Sequence, residues 1–257
     1  MQRLRICLAA LTDSAVKLLI IRHGDPDYEH DSLTETGHAE ARCIAERLRG
    51  RKIDAFYVSP LGRAQETARY TLDALRAEAE TLPWLREFHA PIQHPDTGDF
   101  RIPWDWLPAV WTAEPAYYDK DLWCSTEVMR ASGVGDEAQR VYSGLDALLK
   151  KHGYVRDGMI YRAVRPNSET IGIFCHFGVS CVMLAHLLGC SPMVLWHGFC
   201  AAPASVTVLS TEERREGIAC FRINAFGDTG HYYAAGREPS FSARFCEMYR
   251  NADERHD

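Results

Sequence analysis

Two histidines and two arginines stand at places in this sequence where together they could bind and transfer a phosphoryl group. Arg22 and His23 follow the apolar run 18–21, Arg63 follows a second apolar run, and His176 follows a third. Guanidinium groups bind the oxygens of an oxyanion, and an imidazole can attack its central atom or donate a hydrogen bond to it. These residue types predict a phosphoryl site, provided that the fold brings them together.

Transfer of a phosphoryl group also needs a proton for the leaving oxygen, and a carboxyl group can supply it. Glu87, in the segment LREF, is the best placed carboxyl by sequence context. Asp25, Glu29 and Glu66 are the alternatives, because they lie close to the predicted phosphate-binding residues in the sequence.

Strands and helices alternate along much of the chain and must position these residues. Hydrophobic periodicity predicts strands at 18–21, 53–58, 171–175, 206–209 and 218–223, and helices at 35–49, 61–75, 136–151 and 179–188. This alternation predicts an α/β fold, a three-layer sandwich with a mainly parallel central sheet. Parallel strands end at one edge of a sheet, so residues far apart in the sequence would converge there.

The stretch of about 89–135 lacks a regular period and is rich in tryptophan, tyrosine and proline. It predicts an irregular insertion over the active site, its aromatic rings forming either the core of the insertion or a lid that contacts substrate. Residues 81–88 are expected to be extended. The whole chain, 1–257, is predicted to be one domain, with residues 1–16 as an N-terminal extension and a peripheral tail from Phe241.

Composition narrows the function classes. The chain has 257 residues, a net charge of −6 and 46% hydrophobic residues, a balance that does not favour a nucleic-acid or membrane partner. Nine cysteines without CxxC spacing favour reduced thiols and a cytoplasmic location. The irregular spacing of His89 and His94 does not favour a metal site. The sequence makes no prediction of oligomeric state.

Five motifs occur in a familiar order: RHG after an apolar strand, LTETG, SPLGRAQETA, LREF and CHFG. In this order they resemble the histidine phosphatase superfamily, in its phosphoglycerate mutase-like branch. The resemblance covers roughly residues 17–90 and 168–232 and leaves the aromatic-rich insertion unmatched. It implies a phosphoglycerate mutase-like fold.

The resemblance also implies roles. His23 would be the nucleophile, attacking through Nε2 to form a phosphohistidine, and Arg22, Arg63 and His176 would line the phosphate pocket. Glu87 would protonate the leaving alkoxide and then activate water. The implied activity is hydrolysis of a small phosphorylated substrate, with no metal ion and no other cofactor.

Two other functions stay open. A phosphoglycerate mutase-type phosphoryl transfer is the first, although FHAPIQHP after the acid differs from the longer signature of the mutases, which begins RHYG. A non-catalytic module that binds a phosphorylated ligand is the second, although such a module would not need all five predicted site residues.

Overall fold

The computed structural model describes residues 15–95 and 97–240, together with residues 242 and 248. Most of the predicted N-terminal extension and of the predicted peripheral tail lies outside these residues. The strands of the described residues are β1 Lys17–Arg22, β2 Pro26–Asp27, β3 Ser32–Leu33, β4 Ala55–Val58, β5 Glu80–Thr81, β6 Ile92–Gln93, β7 Phe100–Arg101, β8 Tyr154–Asp157, β9 Ile160–Ala163, β10 Thr170–Cys175, β11 Val206–Arg215 and β12 Ile218–Asp228. The helices are α1 Glu35–Leu48, α2 Gly62–Leu75, α3 Pro108–Trp111, α4 Glu127–Ala131, α5 Val134–Lys151, α6 Phe177–Leu188, α7 Pro192–Gly198 and α8 Gly230–Ala234.

Eight strands form the central sheet in the order β5-β4-β10-β1-β11-β12-β9-β8. The first four are joined by parallel pairs, whereas β1/β11, β11/β12, β12/β9 and β9/β8 are antiparallel. The α/β fold is therefore confirmed, but the sheet is mixed rather than mainly parallel. Two of these antiparallel pairs, β8/β9 and β11/β12, are hairpins, and strands joined by a short turn must run in opposite directions.

Helices cover both faces of the sheet, as the three-layer prediction requires. Side chains alternate along β1: Leu18 and Ile20 join a core that contains α5, α6 and α7, whereas Leu19 and Ile21 join a second core that contains α1 and α2. Tyr232 of α8 belongs to the second core. The apolar run 18–21 is buried on both sides, which explains its continuous hydrophobicity.

The bounds of the long helices follow the sequence signals. Thr34 caps α1, its Oγ1 accepting a hydrogen bond from the Gly37 N–H at 3.1 Å, and Gly50 follows the helix with a φ of +75°. The prediction for 81–88 is wrong, because Pro83–Leu85 form a 3₁₀ turn with proline at its first position. The strand β11 continues past its predicted end into the charged residues 212–215, where Glu212 pairs with Arg222 at 2.8 Å, so the turn to β12 consists only of Glu216 and Gly217.

The aromatic-rich stretch contains the hairpin β6–β7, the short helices α3 and α4, and a 3₁₀ turn at Pro115–Tyr118. Trp104 and Trp123 are buried and pack against Trp196 of α7, with ring centroids 5.4 Å and 5.5 Å from it. These two rings therefore belong to the core beneath the insertion. Elements of two to five residues are too short to leave a sequence period.

Candidate active site

The register of the parallel strands brings the two predicted histidines together. β1 and β10 pair up to Arg22 and Cys175, so the next residues, His23 and His176, lie side by side. Their ring centroids are 5.1 Å apart, and both rings are buried. The convergence expected from the sequence is found in the structure.

The His23 ring is fixed in one tautomer. Its Nδ1 lies 2.7 Å from the Gly24 carbonyl oxygen, which can only accept a hydrogen bond, so the hydrogen is on Nδ1 and Nε2 keeps its lone pair. Burial lowers the pKa of His23 well below its usual value, and the nearby charges of Arg22 and Arg63 lower it further. The ring is thus a neutral imidazole with Nε2 free to act as a nucleophile.

The loop after His23 is held against both neighbouring helices. A Cβ at Gly24 would lie 2.7 Å from the carbonyl oxygen of Gly37 in α1, so this position has room only for glycine. The Gly24 N–H donates to Thr67 Oγ1 at 3.0 Å, and that hydroxyl donates to the Arg63 carbonyl at 2.7 Å. The carbonyl that orients the His23 ring is therefore itself held in place.

Arg22 is a buried cation, 5% exposed, at the end of β1. Its Nη1 donates to the Ala201 carbonyl at 2.5 Å, and its guanidinium lies 5.9 Å from the centroid of the Phe177 ring. Within the described chain no carboxylate forms an ion pair with Arg22, and its Nε has no hydrogen-bond partner. Burial lowers the pKa of Arg22, but a guanidinium stays protonated.

Arg63 lies in the first turn of α2, as the sequence predicts, and a carboxylate orients it. Its Nη1 donates to Asp31 Oδ1 at 2.5 Å, while Asp31 Oδ2 accepts from the Gly62 N–H at 2.6 Å. The exposed Tyr28 ring lies 5.5 Å from the guanidinium. Sequence reasoning does not single out Asp31 or Tyr28.

His176 follows β10 and precedes α6. Its Nε2 lies 2.7 Å from the hydroxyl oxygen of Ser59, another residue that sequence reasoning misses. Burial lowers the pKa of His176 well below its usual value, and the neighbouring His23, Arg63 and Arg22 lower it further. His176 is a neutral hydrogen-bonding group rather than a third cation.

Glu87 lies against the N-terminus of α6. Its Oε1 accepts hydrogen bonds from the N–H groups of Phe88 at 2.8 Å and Val179 at 2.9 Å, and its Oε2 accepts one from Gly178 at 3.2 Å. Burial raises the pKa of this carboxyl, while the three N–H groups and Arg63 act in the opposite direction. Because Oε1 already has two donors, Oε2 is the oxygen with a lone pair free for a proton.

The alternative carboxylates have other partners or face solvent. Asp25 Oδ2 accepts from the Thr34 hydroxyl at 2.7 Å, and Glu66 Oε2 accepts from the Ser32 hydroxyl at 2.9 Å. Glu29 is exposed. Of the carboxyl groups that the sequence brings forward, Glu87, which is half-buried, alone combines a raised pKa with electrostatic interaction with both arginines.

Clusters of metal-ligating side chains and helices that could span a membrane are both absent from the part of the chain that the structure describes. It contains no group of three histidine, cysteine, aspartate or glutamate residues able to hold a metal ion. His94 is buried, with its Nε2 2.9 Å from the Ile102 carbonyl oxygen. None of the described helices has the length and apolar character needed to cross a membrane.

The model of the histidine phosphatase superfamily, branch 1, matches residues 18–224 of this chain. The chain belongs to that superfamily. The family resemblance expected from the five motifs is confirmed, and the matched span also includes the aromatic-rich stretch. A 2,3-bisphosphoglycerate-dependent phosphoglycerate mutase of Brucella ovis is 39% identical over 69 residues, which cover 23% of this chain and 34% of the relative. The chain thus matches about a third of the length of this curated relative.

Solved structures of three phosphatases have the same fold. A phosphoserine phosphatase variant of Entamoeba histolytica superposes with a TM-score of 0.56 at 20% identity, covering 84% of this chain and 98% of that one. A mycobacterial glucosyl-3-phosphoglycerate phosphatase superposes with a TM-score of 0.56 at 20% identity, covering 84% of this chain and 100% of that one. An alpha-ribazole phosphatase of Shigella flexneri superposes with a TM-score of 0.51 at 22% identity, covering 80% of this chain and 95% of that one.

Proposed function

We propose that this protein hydrolyses small phosphate monoesters through a phosphohistidine on His23, without a metal ion. The observation that carries this proposal is the state of the His23 ring: its Nδ1–H donates to the Gly24 carbonyl, which leaves the Nε2 lone pair free, and the charges of Arg22 and Arg63 act on the ring. A neutral imidazole beside fixed positive charge can attack phosphorus at neutral pH.

In the first step, Nε2 of His23 attacks the phosphorus atom, and the bond from phosphorus to the ester oxygen breaks. Glu87 gives its proton to the leaving alkoxide, which departs as an alcohol. In the second step, Glu87, now a carboxylate, takes a proton from water; the oxygen of that water attacks phosphorus, and the bond to Nε2 breaks. Inorganic phosphate leaves, and Glu87 is again protonated.

Charge in the site supports this route. Arg22 and Arg63 would neutralise the oxygens of the transferred group, which is the electrostatic work that a metal ion performs in other phosphoryl-transfer enzymes. The raised pKa of Glu87 favours the protonated form that the first step needs, and a bound phosphate dianion would raise it further.

The substrate class rests on the relatives. The solved structures of the same fold are named as phosphatases of phosphoserine, glucosyl-3-phosphoglycerate and alpha-ribazole phosphate, all of them small phosphorylated molecules. We infer the same class for this chain, and the net charge of −6 agrees with a small-molecule substrate rather than nucleic acid.

Mutase-type transfer is the second candidate, because the curated relative with 39% identity over 69 residues is a phosphoglycerate mutase. The two candidates differ in the acceptor of the second step: water in a phosphatase, a substrate hydroxyl in a mutase. Release of inorganic phosphate therefore separates them.

We further propose a cytoplasmic location and a single domain over 1–257. The seven cysteines of the described residues are all free thiols, as expected in a reducing compartment. The family match over 18–224 supports one domain, with 89–135 as an insertion.

Acid-quench trapping tests the mechanism. The protein is mixed with a labelled monoester at pH 6 to 7, denatured within milliseconds, and examined for acid-labile, base-stable phosphate on His23. We expect label on His23 together with free phosphate, and neither in His23→Gln. His186→Gln is the matched control: that histidine lies in the last turn of α6, at the other end of the helix from His176, and pairs with Asp146 at 3.0 Å, so the variant should label normally.

Three results would point elsewhere. Label with transfer to another carbon of a sugar acid, but little free phosphate, would establish a mutase. Binding of vanadate or phosphate without label or turnover across a broad panel of monoesters would establish a non-catalytic module. Turnover without label would exclude the phosphohistidine.

A further inference from the structure

Ser59 and His176 form a buried pair that the steps above do not use. The Ser59 Oγ and His176 Nε2 are 2.7 Å apart, and both residues are 0% exposed. The Leu61 N–H also donates to the Ser59 Oγ, at 3.2 Å. The other ring nitrogen of His176, Nδ1, is buried with no hydrogen-bond partner in the described chain.

The strand register places this hydroxyl. β4 and β10 pair in parallel up to Val58 and Phe174, and the Ser59 N–H continues the ladder by donating to the Phe174 carbonyl at 2.9 Å. The side-chain amide of Gln65 donates a hydrogen bond from its Nε2 to the Ser59 carbonyl oxygen at 2.6 Å. The hydroxyl is thus fixed on both sides before any ligand binds.

Two proton arrangements are compatible with these distances. Neutral His176 carries one N–H. If it is on Nε2, that N–H donates to Ser59, and Nδ1 has a bare lone pair in a site with two guanidinium groups. If it is on Nδ1, the Ser59 hydroxyl donates its proton to Nε2, and Nδ1–H is a free donor. An anion supplies acceptors and no donors, so only the second arrangement gives Nδ1 a partner when phosphate binds.

We propose that Ser59 is a positioning residue that sets the tautomer of His176, so that Nδ1–H donates to the phosphoryl group held by Arg22 and Arg63. This inference rests on the proposed function for its ligand, but the tautomer itself is a property of the free protein. No proton leaves His176 during the reaction. Its N–H contributes a fixed dipole, aimed at the oxygens where negative charge is concentrated.

Nitrogen-15 NMR of the histidine rings tests the tautomer directly, with His176→Asn used only to assign the His176 signals. In the unmodified protein we expect the His176 ring to be protonated at Nδ1. Ser59→Ala should shift it toward the Nε2–H tautomer or a mixture. The same variant should raise the inhibition constant of vanadate by about 10-fold to 100-fold, because it loses one hydrogen bond to a charged group.

Ser205→Ala is the matched control, because Ser205 is a buried serine near Arg22 whose hydroxyl has no hydrogen-bond partner among the described residues. It should leave both the tautomer and the vanadate constant unchanged. Ser59→Thr, which keeps the hydroxyl, should keep the Nδ1–H tautomer. An Nε2–H tautomer in the unmodified protein would overturn the proposal, and so would an unchanged tautomer in Ser59→Ala, whatever the activity. If no monoester is hydrolysed but the tautomer behaves as expected, the proposed function fails and the positioning role stands.

Discussion

Replacing Glu87 by glutamine should separate the two tasks of this carboxyl, which are proton transfer and capping of α6. An amide cannot donate a proton to an alkoxide or take one from water. General acid–base catalysis contributes roughly 10²–10⁴-fold to a rate, so kcat for an alkyl phosphate should fall by about that factor. With a nitrophenyl ester the leaving group needs no proton, so phosphorylation should continue while hydrolysis slows. Labelled phosphohistidine should then accumulate.

The same change should lower the stability. Oε1 of the glutamine can still accept from Phe88 and Val179, but its NH₂ group would face the Gly178 N–H, which would then have no acceptor. An orphaned buried donor costs about 1–3 kcal/mol of unfolding free energy, which lowers the melting temperature by roughly 2–12 °C for a chain of this size.

The assay is rapid-quench kinetics on matched alkyl and nitrophenyl phosphates, with melting temperatures measured in parallel. Glu66→Gln is the control, because its carboxylate accepts two hydrogen bonds on one oxygen, from Ser32 and Leu33, and lies outside the proposed proton path. The amide oxygen of the glutamine can accept both bonds, so neither kcat nor the melting temperature should change. Equal loss on both esters in Glu87→Gln, with no phosphoenzyme, would refute the reasoning.

Three other perturbations follow from the geometry. Gly178→Ala places a Cβ 2.4 Å from a neighbouring indole and 2.8 Å from the carboxyl of the proposed acid, so kcat should fall and the unfolding free energy should fall by about 1–3 kcal/mol. Gly198→Ala is the control and should change neither quantity, because its Cβ would have no atom within 4 Å. Equal behaviour of the two variants in kinetics and urea unfolding would contradict this expectation. Arg22→Lys removes the planar fork of donors, so the vanadate inhibition constant should rise about 10-fold to 100-fold, and an unchanged constant would show that the guanidinium does not bind the anion. Burial lowers the pKa of His197 to about 4. Between pH 6.5 and 4 the unfolded chain therefore binds a proton that the folded one lacks, and stability should fall as pH falls, by up to about 1.4 kcal/mol per pH unit. His197→Asn should flatten this slope in urea unfolding.

The convergence of His23 and His176 could be predicted because each follows an apolar run, and buried parallel strands end at a common edge. Arg63 could be predicted because it opens an amphipathic helix. Ser59 carried a usable signal too: it is the first residue after a strand of the same set, and its register with β10 puts it beside His176. Asp31 carried none, because its bond to Arg63 depends on the path of an irregular loop with a φ of +47° at Asp31 itself.

The mixed sheet was missed for a different reason. In β11 and β12 the charged residues that look like a turn face solvent at the far end of a long hairpin, where cross-strand ion pairs replace hydrophobic contacts. The hairpin β8–β9 is only four residues per strand and has no long apolar run. Antiparallel strands with one exposed face are less distinct in sequence than buried parallel ones.

Gly178 connects the proposed acid to the aromatic-rich insertion. Its N–H donates to Glu87, its carbonyl accepts from the Trp196 indole N–H at 3.0 Å, and its Cα has room for no Cβ beside Trp104. Through Gly178 the insertion thus contacts the segment that holds the proposed acid. Changes in this aromatic packing should act on kcat for all substrates alike, because they would move the proposed proton donor and leave the arginines of the proposed phosphate site in place.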